Sequence, residues 1–144
     1  MKDEKIYLLK FLNSGSVYFK LVSPSVWDSA GSVYNSEEKT LFLPVLNKYR
    51  KDANLENFTV RMGPNKGNEY ILVKGELKPA TSQEDIDYVF NELINDWQWD
   101  PEKAHYALYD KRNGKPRNYR YKLKIKKINI HNNDSLRELG TEVL

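Results

Sequence analysis

The alternating run at residues 119–130 constrains the fold of this chain most strongly. Within it, four apolar or aromatic residues alternate with four cations: Tyr119, Tyr121, Leu123 and Ile125 with Arg120, Lys122, Lys124 and Lys126. Every second residue of a β-strand points to the same side of the sheet, so the run predicts a strand with one apolar and one cationic face. The apolar phase then shifts to even positions at Ile128 and Ile130, which predicts a bulge near Lys126 and Lys127.

Asn113 and Gly114 predict that this strand is one arm of a β-hairpin over residues 104–130. Asn-Gly is typical of a two-residue turn because both residues tolerate positive φ. The first arm is predicted over residues 104–110, and Pro116, which has no amide N–H, predicts a projecting tip. The hairpin and its tip carry the candidate binding residues, which are Lys111, Arg112, Lys115, Arg117, Arg120, Lys122 and Lys124.

Charge is distributed unevenly along the chain. Residues 1–110 hold 13 Lys and Arg against 17 Asp and Glu, whereas residues 111–144 hold 10 against 3. The net charge of +3 therefore combines a slightly acidic body with a strongly basic C-terminal segment. Such a localised basic patch is typical of a surface that binds a polyanion.

Two further hairpins are predicted before the basic segment. Residues 5–12 and 16–23 form one of them around a Gly15 turn, and residues 57–62 and 69–77 form the other. Gly75 within the last strand predicts a bulge or the close approach of another backbone.

One main amphipathic helix is predicted over about residues 82–97. Thr81 and Glu84 have the spacing of a capping box, and an apolar stripe follows at helical spacing. Its members are Ile86, Val89, Phe90, Leu93, Ile94 and Trp97, and the other face is acidic, with Glu84, Asp85, Asp87, Glu92 and Asp96. If this helix lies beside the basic strand, its carboxylates would neutralise part of the cationic face.

These elements predict an α+β fold, in which a mostly antiparallel sheet of hairpins carries the helix on one face. A single α+β domain is predicted over residues 1–130. Residues 131–144 are predicted to form a polar C-terminal tail, which either folds as a short helix or remains extended.

Composition excludes several classes of chemistry. The chain has no cysteine and only two histidines, so no disulfide, thiol nucleophile, metal site or cofactor site is predicted. No apolar stretch approaches the roughly 20 residues of a membrane helix, and the charged N-terminus lacks the pattern of a signal peptide. We therefore expect a cytoplasmic protein without a membrane partner.

The pattern favours a small non-enzymatic domain that binds the phosphates of DNA or RNA. Lys and Arg of the hairpin would neutralise phosphates, and tyrosines could stack on exposed bases. Tyr119 and Tyr121 share the apolar face, which indicates a role in the core. Tyr106 and Tyr109 would point to opposite sides of a strand, so only one of them is available for stacking.

The alternative is a protein-interaction or inhibitor domain. The basic hairpin would dock on an acidic protein surface, or an exposed strand would pair with a partner or with a second copy, giving a homo-oligomer. The abundance of Lys, Asn and Tyr is typical of AT-rich coding DNA, which makes a low-GC bacterium or its phage an expected source of such a domain.

A third hypothesis is a metal-dependent nuclease built on Glu76 and Lys78. Their spacing resembles the E-x-K element of the restriction-nuclease-like fold, where a carboxylate holds Mg²⁺ and a lysine steadies water. That family also needs an Asp on a neighbouring strand, and residues 57–62 contain none. His105 could act as a general base, but no serine nucleophile is adjacent to it.

Overall fold

The structure is a computed structural model that describes residues 2–20, 27–51, 53–63, 69–132 and 135–144. Within these residues, eight antiparallel strands form a nearly closed sheet that is accompanied by several helices, so the predicted α+β class is confirmed. The strands are β1 (Ser16–Lys20), β2 (Trp27–Gly31), β3 (Val33–Asn35), β4 (Thr40–Pro44), β5 (Phe58–Met62), β6 (Glu69–Pro79), β7 (Arg120–Asn132) and β8 (Ser135–Gly140). The helices are α1 (Lys2–Leu12), α2 (Asn47–Arg50), α3 (Gln83–Asn95) and α4 (Pro101–Leu108), and two 3-10 turns cover Leu55–Asn57 and Thr141–Val143.

The sheet is organised around the long strand β7. The strand order is β2-β1-β5-β6-β7-β4-β3, and β8 also pairs with β7. Strand β6 runs along one side of β7, whereas β4 and β8 pair with successive halves of its other side. The terminal strands β2 and β3 are separated in sequence by Ser32 alone, whose amide donates to the Gly15 carbonyl at 2.9 Å. The chain itself therefore joins the two ends of the sheet.

Each face of the sheet has its own apolar core. On one face, residues from β1, β4, β5, β6 and β7 pack with Leu8, Phe11 and Leu12 of α1. On the opposite face, α3 and α4 cover Val33 and Phe42. Strand β4 is buried on both faces, because Leu41 and Leu43 belong to the first core and Phe42 to the second.

The predicted bulge in β7 is confirmed. Lys127 pairs with Lys74, but the next pair joins Ile125 to Gly75, so Lys126 has no partner on β6. Lys126 is the extra residue of the bulge, so Ile125 and Ile128 on either side of it are both buried. The close approach predicted at Gly75 is also confirmed, because a Cβ there would collide with the Lys124 carbonyl oxygen.

The predicted main helix is confirmed as α3, with its start shifted by one residue. Ser82, rather than Thr81, is the N-cap, and its Oγ accepts a hydrogen bond from the Asp85 amide at 3.2 Å. Ile86, Val89 and Leu93 of the stripe are buried against the sheet, and Trp97, with 41% of its surface exposed, lies past the helix end. Helix α3 therefore covers one face of the sheet, as its amphipathic pattern predicts.

The predicted strand over residues 5–12 is wrong, because this segment belongs to α1. Leu8 and Leu12, four residues apart, are buried, whereas Ile6 is 66% exposed, as one face of a helix requires. A short apolar run fits a strand and a helix equally well, so periodicity alone could not separate them. The second arm is confirmed as β1, although residues 21–23 lie outside the described part of the chain.

The predicted hairpin over residues 104–130 is wrong in its first arm, which lies in α4 and the turn that follows it. Asp100 is the N-cap of α4, with its Oδ1 accepting from the Glu102 amide at 2.8 Å, and Pro101 occupies the first helical turn. The loop at Asn113 and Gly114 has the predicted positive φ at Gly114, 68°, but not at Asn113, so the predicted two-residue turn is wrong. The loop connects α4 to β7, and β7 pairs with β4 and β6.

The polar tail predicted over residues 131–144 is also corrected. Residues 131 and 132 complete β7, and β8 then pairs with it in an antiparallel ladder that includes Asn129 opposite Glu138. The short helix predicted there is limited to the 3-10 turn Thr141–Val143. Pairing with β7 gives this polar segment the order that its own sequence does not predict.

Candidate functional site

The seven predicted binding residues fall into two groups. Four are exposed cations, namely Lys111, Arg112, Lys115 and Lys124. The other three, Arg117, Arg120 and Lys122, are partly buried. The structure therefore does not gather all seven on one free surface.

Short-range hydrogen bonds shape the loop between α4 and β7. The Asp110 amide donates to the Lys115 carbonyl at 2.8 Å, and the Asp110 carboxylate accepts from the Arg112 amide at 2.8 Å. The Asn113 side chain accepts from the Lys115 amide at 2.9 Å. These bonds use backbone groups of the cations. The Arg112 side chain is 93% exposed, and its Nε lies 3.9 Å from Asp110 Oδ1.

Arg117 links the loop to the end of α4 through two hydrogen bonds. Its Nε donates to the Tyr106 carbonyl at 2.8 Å, one of the carbonyls that the helix cannot satisfy internally. Its amide also donates to the Leu108 carbonyl at 2.8 Å. Arg117 therefore has a structural role that a free phosphate-binding cation would not have.

Lys122 forms an ion pair with the first turn of α3. Its Nζ lies 3.0 Å from Oδ2 and 3.2 Å from Oδ1 of Asp85, which is buried. The predicted neutralisation of the basic strand by the acidic helix is therefore confirmed at this pair. Further along β7, Lys124 stands opposite Glu76 of β6, so this part of the sheet surface also has mixed charge.

An open groove beside the loop combines cations with aromatic rings. The Lys103 Nζ lies 4.3 Å from the centroid of the Trp99 ring, and the Lys111 Nζ lies 4.6 Å from that of Tyr106. The groove has a volume of about 590 Å³, and its lining is Trp99, Asp100, Glu102, Lys103, Tyr106, Ala107 and Lys111. We call it the aromatic groove.

Sequence reasoning missed Trp99 and Lys103, although a signal for them is present. Lys103 and Tyr106 are three residues apart, which places them on one side of a helix, and Trp99 directly precedes Asp100, the N-cap. That spacing has meaning only once residues 101–108 are recognised as a helix. The predicted opposition of Tyr106 and Tyr109 is wrong for the same reason, because both rings contact His105, at 4.9 and 4.8 Å between centroids.

Arg120 differs from the other six cations. Burial lowers the pKa of its guanidinium to about 10, so the group remains charged at neutral pH although it is partly buried. It lines an apolar pocket between the sheet and the helices α3 and α4. Among the described residues, its side chain has neither a hydrogen-bond partner nor an ion-pair partner.

The carboxyl pair Glu92 and Asp96, at the C-terminal end of α3, includes the carboxyl group with the largest pKa shift described. A hydrogen bond with Asp96, followed by burial and the Asp96 charge, raises the pKa of Glu92 to about 7. Glu92 lies in the last turn of α3 and Asp96 is the C-cap, and both line a cavity of about 300 Å³ together with Trp97. Glu92 therefore holds a proton in the folded protein under conditions in which an ordinary glutamate is ionised.

The residues of the nuclease hypothesis do not assemble a metal site in the described part of the chain. Glu76 Oε1 lies 3.7 Å from Lys78 Nζ, and cations, Lys124 and Lys122, stand opposite them on β7. No cluster of three or more His, Cys, Asp or Glu that could hold a metal occurs among the described residues. His105 is exposed on α4 and stacks on Tyr109.

None of the described helices is both long enough and apolar enough to cross a membrane. Comparison with known proteins finds no family model that matches the sequence and no curated protein with significant similarity to it. Fold and site together therefore define the chain as an α+β protein whose nearly closed antiparallel sheet carries a basic loop beside an aromatic groove.

Proposed function

We propose that this protein is a non-enzymatic domain that binds single-stranded nucleic acid through the aromatic groove and the adjoining loop. Lys103, Lys111, Arg112 and Lys115 would contact phosphates, and the rings of Trp99 and Tyr106 would stack on bases. The observation that carries the proposal is the pairing of each ring with a lysine along one groove.

Aromatic rings and cations suit a single strand for separate reasons. Every base offers a π-face whatever its identity, and stacking on an aromatic side chain contributes about 1–3 kcal/mol per base. The bases of a duplex are already stacked on one another, so they cannot use such rings without being unpaired. The groove therefore favours single strands over duplex, with little dependence on sequence.

The exposed cations supply attraction that is sensitive to salt. If four cations each neutralise one phosphate, the logarithm of the binding constant should fall with the logarithm of salt concentration at a slope of about −3. Asp100 and Glu102 stand in the same groove and would oppose part of this attraction. A charged loop alone therefore does not account for tight binding, and the rings are needed as well.

A charge-reversal experiment tests the proposal. The triple variant Lys111→Glu, Arg112→Glu, Lys115→Glu changes exposed side chains whose described loop hydrogen bonds come from the backbone. We expect fluorescence anisotropy with a labelled 20-nucleotide oligothymidylate to show an affinity loss of about tenfold or more at low salt.

The matched control is Lys5→Glu, Lys10→Glu, Lys51→Glu, which changes the net charge equally at exposed residues outside the groove. Its affinity should stay close to that of the unaltered protein. Equal losses in the two variants would mean that net charge alone governs binding. No binding of the unaltered protein at low salt would contradict the proposal and favour an acidic protein surface as the partner.

A further inference from the structure

A second recess, with a more apolar lining than the aromatic groove, lies between the sheet and helices α3 and α4. It has a volume of about 470 Å³, within the usual range for small-molecule sites. Its walls include residues from β2, β3, β4, α3 and α4, among them Val33, Phe42, Val89 and Leu93. Aromatic side chains complete the lining, which includes Tyr49, Trp97, Trp99 and Tyr119.

Arg120 places a single cation in this apolar wall. Its backbone is fixed at the start of β7, where its carbonyl accepts from the Ala80 amide at 3.0 Å. No Asp or Glu is among the residues that line the pocket, so nothing in the described lining neutralises the guanidinium. The lowered pKa agrees with this geometry, because burial disfavours the charged form.

A cation that is partly removed from water and has no partner lowers the stability of a folded protein, so such a group is usually paired or used. The lysines of the loop avoid this cost by remaining in solvent, and Lys122 avoids it by pairing with Asp85. Arg120 is partly buried and has no such pair within the described residues. An anion that enters the pocket would supply the missing partner.

The rim of the pocket is also apolar. Leu46 and Trp97 both line it, and each leaves 41% of its surface exposed. Few large apolar side chains are exposed at all among the described residues, and two of them stand at this one recess. A ligand with an apolar body would cover them as it enters.

We propose that this pocket binds a small organic carboxylate. The apolar body would lie against Phe42, Val89 and Leu93, and the carboxylate would accept two hydrogen bonds from the Arg120 guanidinium, whose planar fork matches a carboxylate. One cation in an otherwise apolar lining suits a monoanion better than a phosphate, which carries more charge and needs more donors. This site goes beyond the nucleic-acid groove and uses a different cation, although Trp99 lines both.

Octanoate and 1-octanol test the proposal, because they share an eight-carbon chain and differ in charge. Isothermal titration calorimetry of the unaltered protein should show octanoate binding at least about tenfold more tightly than 1-octanol, the ratio expected for one charge-assisted pair. In Arg120→Met, which keeps an unbranched side chain and removes the charge, the two affinities should become equal. The control Arg112→Met should retain the difference.

Two outcomes would overturn the proposal. One is that octanoate and 1-octanol bind equally well, or not at all, to the unaltered protein. The other is that the preference for octanoate survives in a folded Arg120→Met variant. The comparison of the two ligands on the unaltered protein remains decisive even if that variant fails to fold, and Arg120→Lys provides a second variant that retains the charge.

Discussion

The loop cations and Arg120 lie within ten residues of one another and carry the same charge, yet their surroundings differ. Arg112 extends into solvent, whereas Arg120 lines an apolar pocket where burial lowers its pKa to about 10. Exposed charges act over a distance and are screened by salt, whereas a desolvated charge acts on a neighbour in contact. A count of basic residues therefore combines two kinds of cation, for which we propose two kinds of ligand.

The largest effect on stability is expected from a substitution of Asp85. Replacing Asp85 with Ala leaves Lys122 partly buried without its partner, so we expect the free energy of unfolding to fall by about 2–3 kcal/mol. The matched exposed pair joins Lys127 Nζ to Glu138 Oε1 at 3.4 Å, and Glu138→Ala should cost less than about 1 kcal/mol. Urea unfolding of the two variants measures both values, and equal losses would contradict the distinction between buried and exposed pairs.

The second effect is a loss of affinity for single-stranded DNA when a ring of the aromatic groove is removed. Tyr106→Ala removes a ring beside Lys111 and keeps the backbone carbonyl that binds Arg117, so we expect about a tenfold loss of affinity for single-stranded DNA. Tyr109→Ala is the control, because that ring stacks on His105 and does not line the groove. A loss in both variants would place the binding surface elsewhere on α4.

A smaller effect is expected from removing the buried charge itself. In the absence of ligand, Arg120→Met should raise the free energy of unfolding by about 1 kcal/mol, because an apolar side chain of similar length suits the pocket better than an unpaired cation. Arg112→Met, at an exposed position, should change it by less than about 0.5 kcal/mol. Destabilisation by Arg120→Met would show that Arg120 has a structural partner and would weaken the contrast between the two regions.

The smallest expected effect is a pH dependence of stability caused by Glu92, which lines a cavity with Asp96 and Trp97. Because the pKa of Glu92 is raised to about 7 in the folded protein, the stabilisation from its proton is complete below pH 4.5 and is lost as pH rises through 7. Solvent screening limits the contribution to less than about 1 kcal/mol. Glu92→Gln keeps a donor for Asp96 at every pH, so the difference in stability between variant and unaltered protein should grow from pH 4.5 to 7. A difference that is constant with pH would contradict the shared proton.

The sequence predicts β-strands best where the alternation of apolar and polar residues extends over many positions. Strand β7 alternates over enough residues to define its faces, and the phase shift at Lys126 locates the bulge. Segments α1 and α4 were mistaken for strands because their apolar runs are short. Asp100 followed by Pro101 is typical of a helix start and begins α4, which excludes the strand predicted over residues 104–110.

The site was less predictable because exposure depends on packing between distant segments. Nothing local distinguishes Arg112 from Arg120, since the difference arises from α3 and α4 lying across the sheet beside β7. The partner of Lys122 is 37 residues away in sequence. The aromatic groove required α4 to be recognised first, because the helix brings Lys103 and Tyr106 to one side and Trp99 directly precedes its N-cap.

The central claim, that the exposed loop and aromatic groove bind a single strand of nucleic acid, is tested most directly by a salt titration. The affinity of the unaltered protein for labelled oligothymidylate would be measured by anisotropy from about 20 to 200 mM salt, with a duplex of equal length in parallel. We expect a slope of about −3 for the single strand and weaker binding of the duplex. A slope near zero, or equal affinity for the duplex, would contradict the account.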